Sequence, residues 1–131
     1  MTAMTSTARR RNHEGAPRDV VLVDYLFSDR TGSKVRPCLV VQSDRNNGRL
    51  DDTIVVAISS NTMRGAGEPT QHVVAAASPE GRQAGLLFDS AIQCENILTI
   101  DGQFILRKIG ALPTAVMGGI DVCLKASLGL S

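Results

Sequence analysis

Short runs of β-branched and aliphatic residues, separated by polar turns, recur from residue 19 to residue 109 and narrow the fold class more than any other feature. Residues 20–25 are apolar and β-branched enough for a buried strand, 38–42 form a second and 53–58 a third. Residues 71–76 alternate weakly. After a turn at Ser78-Pro79-Glu80-Gly81, three more strands are predicted: 85–88, 91–100 in two pieces, and 104–109. Asp101-Gly102 signals a hairpin between the last two. The period changes only near the end, where Val116, Met117, Ile120, Cys123 and Leu124 share one face of a helix over 114–127. Pro113 suits its first turn. Gly118 and Gly119 each cost about 1 kcal/mol relative to alanine, which predicts close packing against the sheet. Short strands closed by one helix give an α+β or small-barrel fold.

The 131 residues suit one domain with one substantial core. No apolar run approaches the ~18 residues of a membrane span, and no apolar segment follows the basic N-terminus as a secretory signal would require. A cytoplasmic protein is expected. Residues 1–17 are polar and aperiodic, a predicted disordered tail ahead of a folded domain over 18–131. Arg9, Arg10, Arg11 and Arg18 against Glu14 give residues 1–18 a net +3, while the remainder carries ten basic and twelve acidic residues. A general nucleic-acid coat protein would be far more basic, so contact with a polyanion should be local. Within 30–64, Arg30, Lys34, Arg36, Arg45, Arg49 and Arg64 face only Asp44, Asp51 and Asp52. Cys38, Cys94 and Cys123 lack CxxC spacing and sit in apolar runs, so they read as buried hydrophobes rather than ligands.

Neither His13 nor His72 has a neighbouring ligand set, and the acids are scattered, so neither a metal site nor a cofactor is expected. Two segments could carry chemistry. In Thr31-Gly32-Ser33-Lys34-Val35-Arg36-Pro37, two cations follow a Gly-Ser turn, and Pro37 fixes the backbone beside Arg36 at the entry to a strand. A fixed guanidinium offers forked donors to phosphate oxygens. Pairing of Arg36 with a carboxylate such as Asp24 is the equal alternative. The second segment, Ser59-Ser60-Asn61-Thr62, ends a strand. Its hydroxyls and amide could bind a phosphate and a base edge, or simply make the turn.

In the order of these elements the chain resembles the PemK/MazF toxins of bacterial toxin–antitoxin modules. The resemblance is carried by DVVLVDY (19–25), TGSKVRPCLVVQSD (31–44), DDTIVVAISSN (51–61), PTQHVV (69–74), SAIQCENILTID (90–101), IGAL (109–112) and LGL (128–130). It implies an SH3-like barrel with added strands and a C-terminal helix, paired as a homodimer. It also implies a metal-independent endoribonuclease acting on single-stranded RNA, neutralised by a cognate antitoxin whose flexible segment covers the groove. In such a reaction the RNA's own 2′-hydroxyl attacks the neighbouring phosphate, which calls for a proton acceptor, charge stabilisation and a proton donor. Arg36 matches the family's catalytic arginine, and Ser59 stands where the family typically has a threonine. Glu95 is the candidate base; Ser33, Lys34, Ser60, Asn61, Thr62, Arg64 and Gln93 are the candidate RNA contacts. The chain departs from the family at Arg18, where a glycine is usual, and at Gln93, where some relatives carry an arginine. The related fold of the CcdB toxins, which bind a protein target without cutting RNA, supplies an alternative function. An inactive homologue that still binds antitoxin is the other.

Overall fold

The structure, a computed structural model, describes residues 16–25 and 34–131. The expected tail (save residues 16 and 17), Arg30 and the Thr31–Ser33 part of the cation-bearing turn lie outside the described residues.

Six strands are described: β1 (Asp19–Tyr25), β2 (Lys34–Val40), β3 (Asp52–Ser59), β4 (Gln71–Val74), β5 (Ser90–Asp101) and β6 (Ile105–Ala111). Three helices join them: α1 (Asp44–Asn47), α2 (Pro79–Gln83) and α3 (Thr114–Leu128). The strands form one antiparallel sheet in the order β4-β5-β3-β2-β1-β6. Both the mainly β, α+β class and the closing helix are as expected. The ends of the sheet, β4 and β6, are not paired, so the barrel is open.

Each face of the sheet has its own core, because residues alternate sides along a strand. Val20, Leu39, Val56, Ile58, Ile92 and Cys94 pack on one face against Ile120 and Cys123 of α3, with Val116, Met117 and Leu124 beside them. The predicted apolar stripe of α3 is the stripe that packs. On the other face Val21, Val23, Cys38, Val40 and Val55 are enclosed with Ile100 and Ile105 from the β5–β6 corner. Gly119 accounts for the approach of helix to sheet, since a Cβ there would lie 3.0 Å from Cε1 of His72 on the edge strand β4. Gly118 faces open space, so close packing explains only one glycine of the pair.

Several elements differ from expectation. Strand β2 begins at Lys34, so Pro37 lies inside it rather than at its entry. The missing amide is tolerated because pairing with β3 starts one residue later, at Cys38↔Ala57. Ser78 to Gly81 is not a simple turn: Ser78 caps α2 by accepting from the Gly81 amide, with Pro79 opening the helix. Residues 91–100 belong to one strand, β5, whose bulge at 94–96 lies between the pairs Ala57↔Gln93 and Val56↔Ile97. The Asp101-Gly102 hairpin is not formed. Asp101 instead caps a 3₁₀ turn over Gly102–Phe104, and β6 crosses to pair with β1. Pro113 is the N-cap of α3, one position before the first turn. The predicted strand 85–88 is an irregular segment, for reasons that bear on the site.

Candidate active site

Arg36 lies on β2 opposite Val23, whereas Asp24 lies opposite Val35. Strand alternation therefore sends the Arg36 and Asp24 side chains to opposite faces. Arg36 is exposed and makes no ion pair among the described residues. The alternative of a structural Arg36–Asp24 pair is thereby removed. The strand holding the guanidinium is anchored by two fully buried neighbours, Cys38 and Leu39. Burial pushes the Cys38 thiol up to about 12, partly opposed by the Arg36 cation.

Carried two residues past its last pair, the β2–β3 register sets Arg36 against Ser59 on the same face. The Ser59 Oγ accepts from the Asn61 amide (3.0 Å), and Asn61 Oδ1 accepts from Met63 (3.1 Å). Both side chains thus shape the turn after β3, as the bland alternative held. Among the described residues the Ser59 hydroxyl proton has no acceptor. Ser60 lines a neighbouring groove, Thr62 is half-buried and Arg64 is exposed without an ion-pair partner among the described residues. Lys34 begins β2, and Ser33 lies outside the described residues.

Gln93 faces Ala57 on one side and Gln71 on the other, so it shares the face of Arg36 and Ser59. Glu95 sits in the β5 bulge, where Gln71 Nε2 donates to one oxygen (2.7 Å) and the other lies 3.2 Å from Thr70 Oγ1, whose single proton has a closer acceptor in Glu68 (2.9 Å). Two strand spacings and a few residues of rise separate Arg36 from Glu95 by on the order of 15 Å at the backbone. That gap leaves room for a nucleotide between them. Four of the residues expected from sequence (Arg36, Ser59, Gln93, Glu95) therefore share one face, with arginine and hydroxyl together and the carboxylate across from them.

Beside Arg36, at the end of the sheet, opens a groove of about 490 Å³ between the strands and segment 85–88. Its floor is Leu22, Pro37, Ile58 and Ile109, and its lining includes Arg36, Ser60 and Arg107. Arg107, which pairs across the ladder with Leu22, was not singled out by sequence because only the β1–β6 register brings it here. Segment 85–88 forms the other wall. Gly85 has a φ of 73°, and a Cβ there would lie 2.2 Å from the Ile109 carbonyl oxygen, so the segment lies flat on β6 and cannot run as a strand. Ser90 Oγ donates to the Phe88 carbonyl (2.7 Å), and Asp89 accepts from the Ala76 amide (2.9 Å). Leu87 and Phe88 consequently stand 86% and 67% exposed at the rim.

The described residues thus form an open antiparallel sheet with a C-terminal helix, with Arg36 exposed on the strand next to the one that ends in Ser59. Residues 16–128 match the family described as PemK-like, MazF-like toxin of type II toxin-antitoxin system. The chain belongs to that family. It is 38% identical over 113 residues to endoribonuclease EndoA of Bacillus subtilis (strain 168), covering 82% of this chain and 92% of that one. It is 34% identical over 116 residues to endoribonuclease MazF of Staphylococcus epidermidis, covering 86% and 90%. Among solved structures it is similar to a mycobacterial endoribonuclease in complex with its cognate antitoxin, with a TM-score of 0.69 and 19% identity over 88% of this chain and 96% of that one. The Mycobacterium tuberculosis toxin MazF-mt6 also gives 0.69, at 21% identity over 87% and 99%. At those identities the two structures bear on the fold alone.

Proposed function

We propose that the protein is a metal-independent endoribonuclease toxin that cuts single-stranded RNA and is neutralised by a cognate antitoxin. The reading is carried by Arg36, exposed and without an ion-pair partner among the described residues, on the strand next to the one that ends in Ser59, in a chain whose relatives at 34% and 38% identity are named endoribonucleases. Arg36 stabilises the charge that builds on the phosphorane and donates toward the leaving 5′-oxygen. Ser59 donates a hydrogen bond from its hydroxyl to a phosphate oxygen. Glu95, positioned by the Gln71 amide, takes the 2′-hydroxyl proton from across the gap. Gln93, Ser60, Asn61, Thr62, Arg64, Ser33 and Lys34 are proposed to line the path of the RNA. Charge stabilisation is assigned to the guanidinium, whose forked donors match phosphate oxygens. The reading includes a homodimer acting in the cytoplasm and one toxin domain from residue 18 onward. It also includes an antitoxin whose flexible acidic segment competes with RNA and binds more weakly as salt rises.

The test is cleavage of single-stranded RNA by purified protein in EDTA. The native chain is expected to cut, and Arg36→Ala to cut at least about a thousandfold more slowly with an unchanged far-UV spectrum and melting temperature. Native-like cutting by that variant would end the assignment. Growth arrest with intact cellular RNA would instead favour a CcdB-like protein target.

A further inference from the structure

We infer that Asn47 is a self-modification site: its side-chain amide is lost to attack by the Gly48 backbone nitrogen when the β2–β3 corner opens, and the altered chain cannot regain that corner. Asparagine followed by glycine is the pair most open to this reaction, because glycine has no side chain to shield the attacking nitrogen. The Gly48 nitrogen gives up its proton and bonds to Cγ of Asn47. The Cγ–Nδ2 bond breaks, and the leaving nitrogen takes a proton and departs as ammonia. Water then opens the five-membered imide at one of its two carbonyls. One opening leaves an aspartate; the other leaves an isoaspartate, with the main chain running through the former side chain. The sum is one water consumed and one ammonia released, with no oxidation or reduction.

The backbone does not demand this pair. Gly48 has a φ of −79°, which any residue adopts, and a Cβ there would come no closer than 3.4 Å to the Asp44 carbonyl oxygen. The fold instead holds the reaction off. Asn47 ends the helix α1, and the Gly48 amide donates to the Asp44 carbonyl (2.9 Å), so turning that nitrogen onto Cγ breaks the bond and the helical turn. The Asn47 side chain is buried and held at three points. Nδ2 donates to the Gln42 carbonyl (2.9 Å), while Oδ1 accepts from Gln42 Nε2 (2.8 Å) and from Thr53 Oγ1 (2.7 Å). Gln42 Nε2 also donates to the Asp52 carbonyl (2.9 Å), so this one amide ties the end of β2 to the start of β3.

The same three bonds make the loss one-way. Once the amide is a carboxylate, an acceptor faces the Gln42 carbonyl where a donor stood, and a charge sits beside the buried Gln42 and Thr53. The isoaspartate lengthens the main chain by one carbon at the end of a four-residue helix. Either product is excluded from the native corner, so a chain that has once opened and reacted is withdrawn from the folded pool.

The full chain is incubated in mildly alkaline buffer, folded and in urea, and conversion is read at each asparagine by peptide mass spectrometry. In urea, Asn47 should convert at least about tenfold faster than Asn46, Asn61 and Asn96, each followed by a residue with a side chain. In the folded protein Asn47 should convert at least about a hundredfold more slowly than in urea, since only opened molecules react. Gly48→Ala should slow conversion in urea about tenfold or more and leave the melting temperature within about 3 °C of native. Converted chains diluted from urea, and the Asn47→Asp variant, should stay unfolded or melt roughly 5–15 °C below native. Equal Asn47 rates in folded and unfolded chains would overturn the proposal, and so would Asn47 reacting no faster than the other asparagines in urea. Converted chains that refold with the native melting temperature would overturn it as well. If Asn47→Asp does not fold, the rates in the native chain still decide the matter.

Discussion

Two residues depart from the family pattern in ways that individual atoms explain. Arg18, where a glycine is usual, has a φ of 76°, a left-handed conformation that a residue with a Cβ adopts at a cost of about 1–2 kcal/mol. Its guanidinium offsets that by donating to the Leu112 carbonyl (2.7 Å), while its backbone ties Val40 to Leu112. Arg18→Gly should therefore leave urea stability within about 1 kcal/mol of native, because strain and hydrogen bond vanish together. Arg18→Ala keeps the strain without the bond and should lose about 1.5–3 kcal/mol. A variant order reversed from this would show that the side chain, not the backbone angle, governs the site. Ser59 differs from the family threonine by a methyl that restricts its rotamer. With its Oγ already accepting from Asn61, Ser59→Thr should match or exceed native kcat, whereas Ser59→Ala should fall at least about tenfold.

Among the elements, segment 85–88 has the most to lose from a single methyl group. Gly85→Ala meets both a positive φ and the Ile109 carbonyl at 2.2 Å, so the chain must lift off β6. A loss of about 2–4 kcal/mol is expected, read from urea unfolding. Native stability in Gly85→Ala would contradict the close seat described for this segment. The same segment shows where sequence reading stops. Strands β1, β2 and β3 and helix α3 were legible because their apolar periods match the faces they bury. Leu86, Leu87 and Phe88 look equally strand-like, but the left-handed Gly85 seated on the Ile109 carbonyl takes the segment out of strand geometry. The Asp101-Gly102 signal failed for a related reason: a two-residue turn cannot reveal that β6 will pair with β1, far away in sequence. Arg36 and Ser59 were named as candidates from the family resemblance, and the strand order sets their strands side by side. Arg107 and Phe88 were not, since only long-range pairing puts them at the groove.

At the scale of the whole molecule, the two faces of the sheet share one pH liability, because each buries thiols. Cys38 lies in one core, Cys94 and Cys123 in the other, and all three are free and buried. Desolvation is the largest cause in each case, raising Cys38 and Cys94 from 9.0 to about 12 and Cys123 in the same direction. A folded chain that keeps protons which the unfolded chain releases is stable at neutral pH and loses stability as pH rises above the unfolded value near 9. Between pH 9 and about 12 Cys38 and Cys94 each contribute a slope of up to about 1.4 kcal/mol per pH unit, so the loss accumulates from both cores at once. Below pH 9 the thiols contribute no slope. Urea unfolding at pH 8, 9.5 and 10.5 under reducing conditions should show this as a falling midpoint. Lysine and tyrosine ionisation acts over the same range, so the informative quantity is the difference between native protein and single Cys→Ala variants. Cys38→Ala and Cys94→Ala should each start less stable at pH 8, from the lost packing, and then lose less than native on going to pH 10.5. Parallel pH profiles in native and variant proteins would mean that the thiols ionise with equal ease in the folded and unfolded chains, and so are not desolvated as the two cores require.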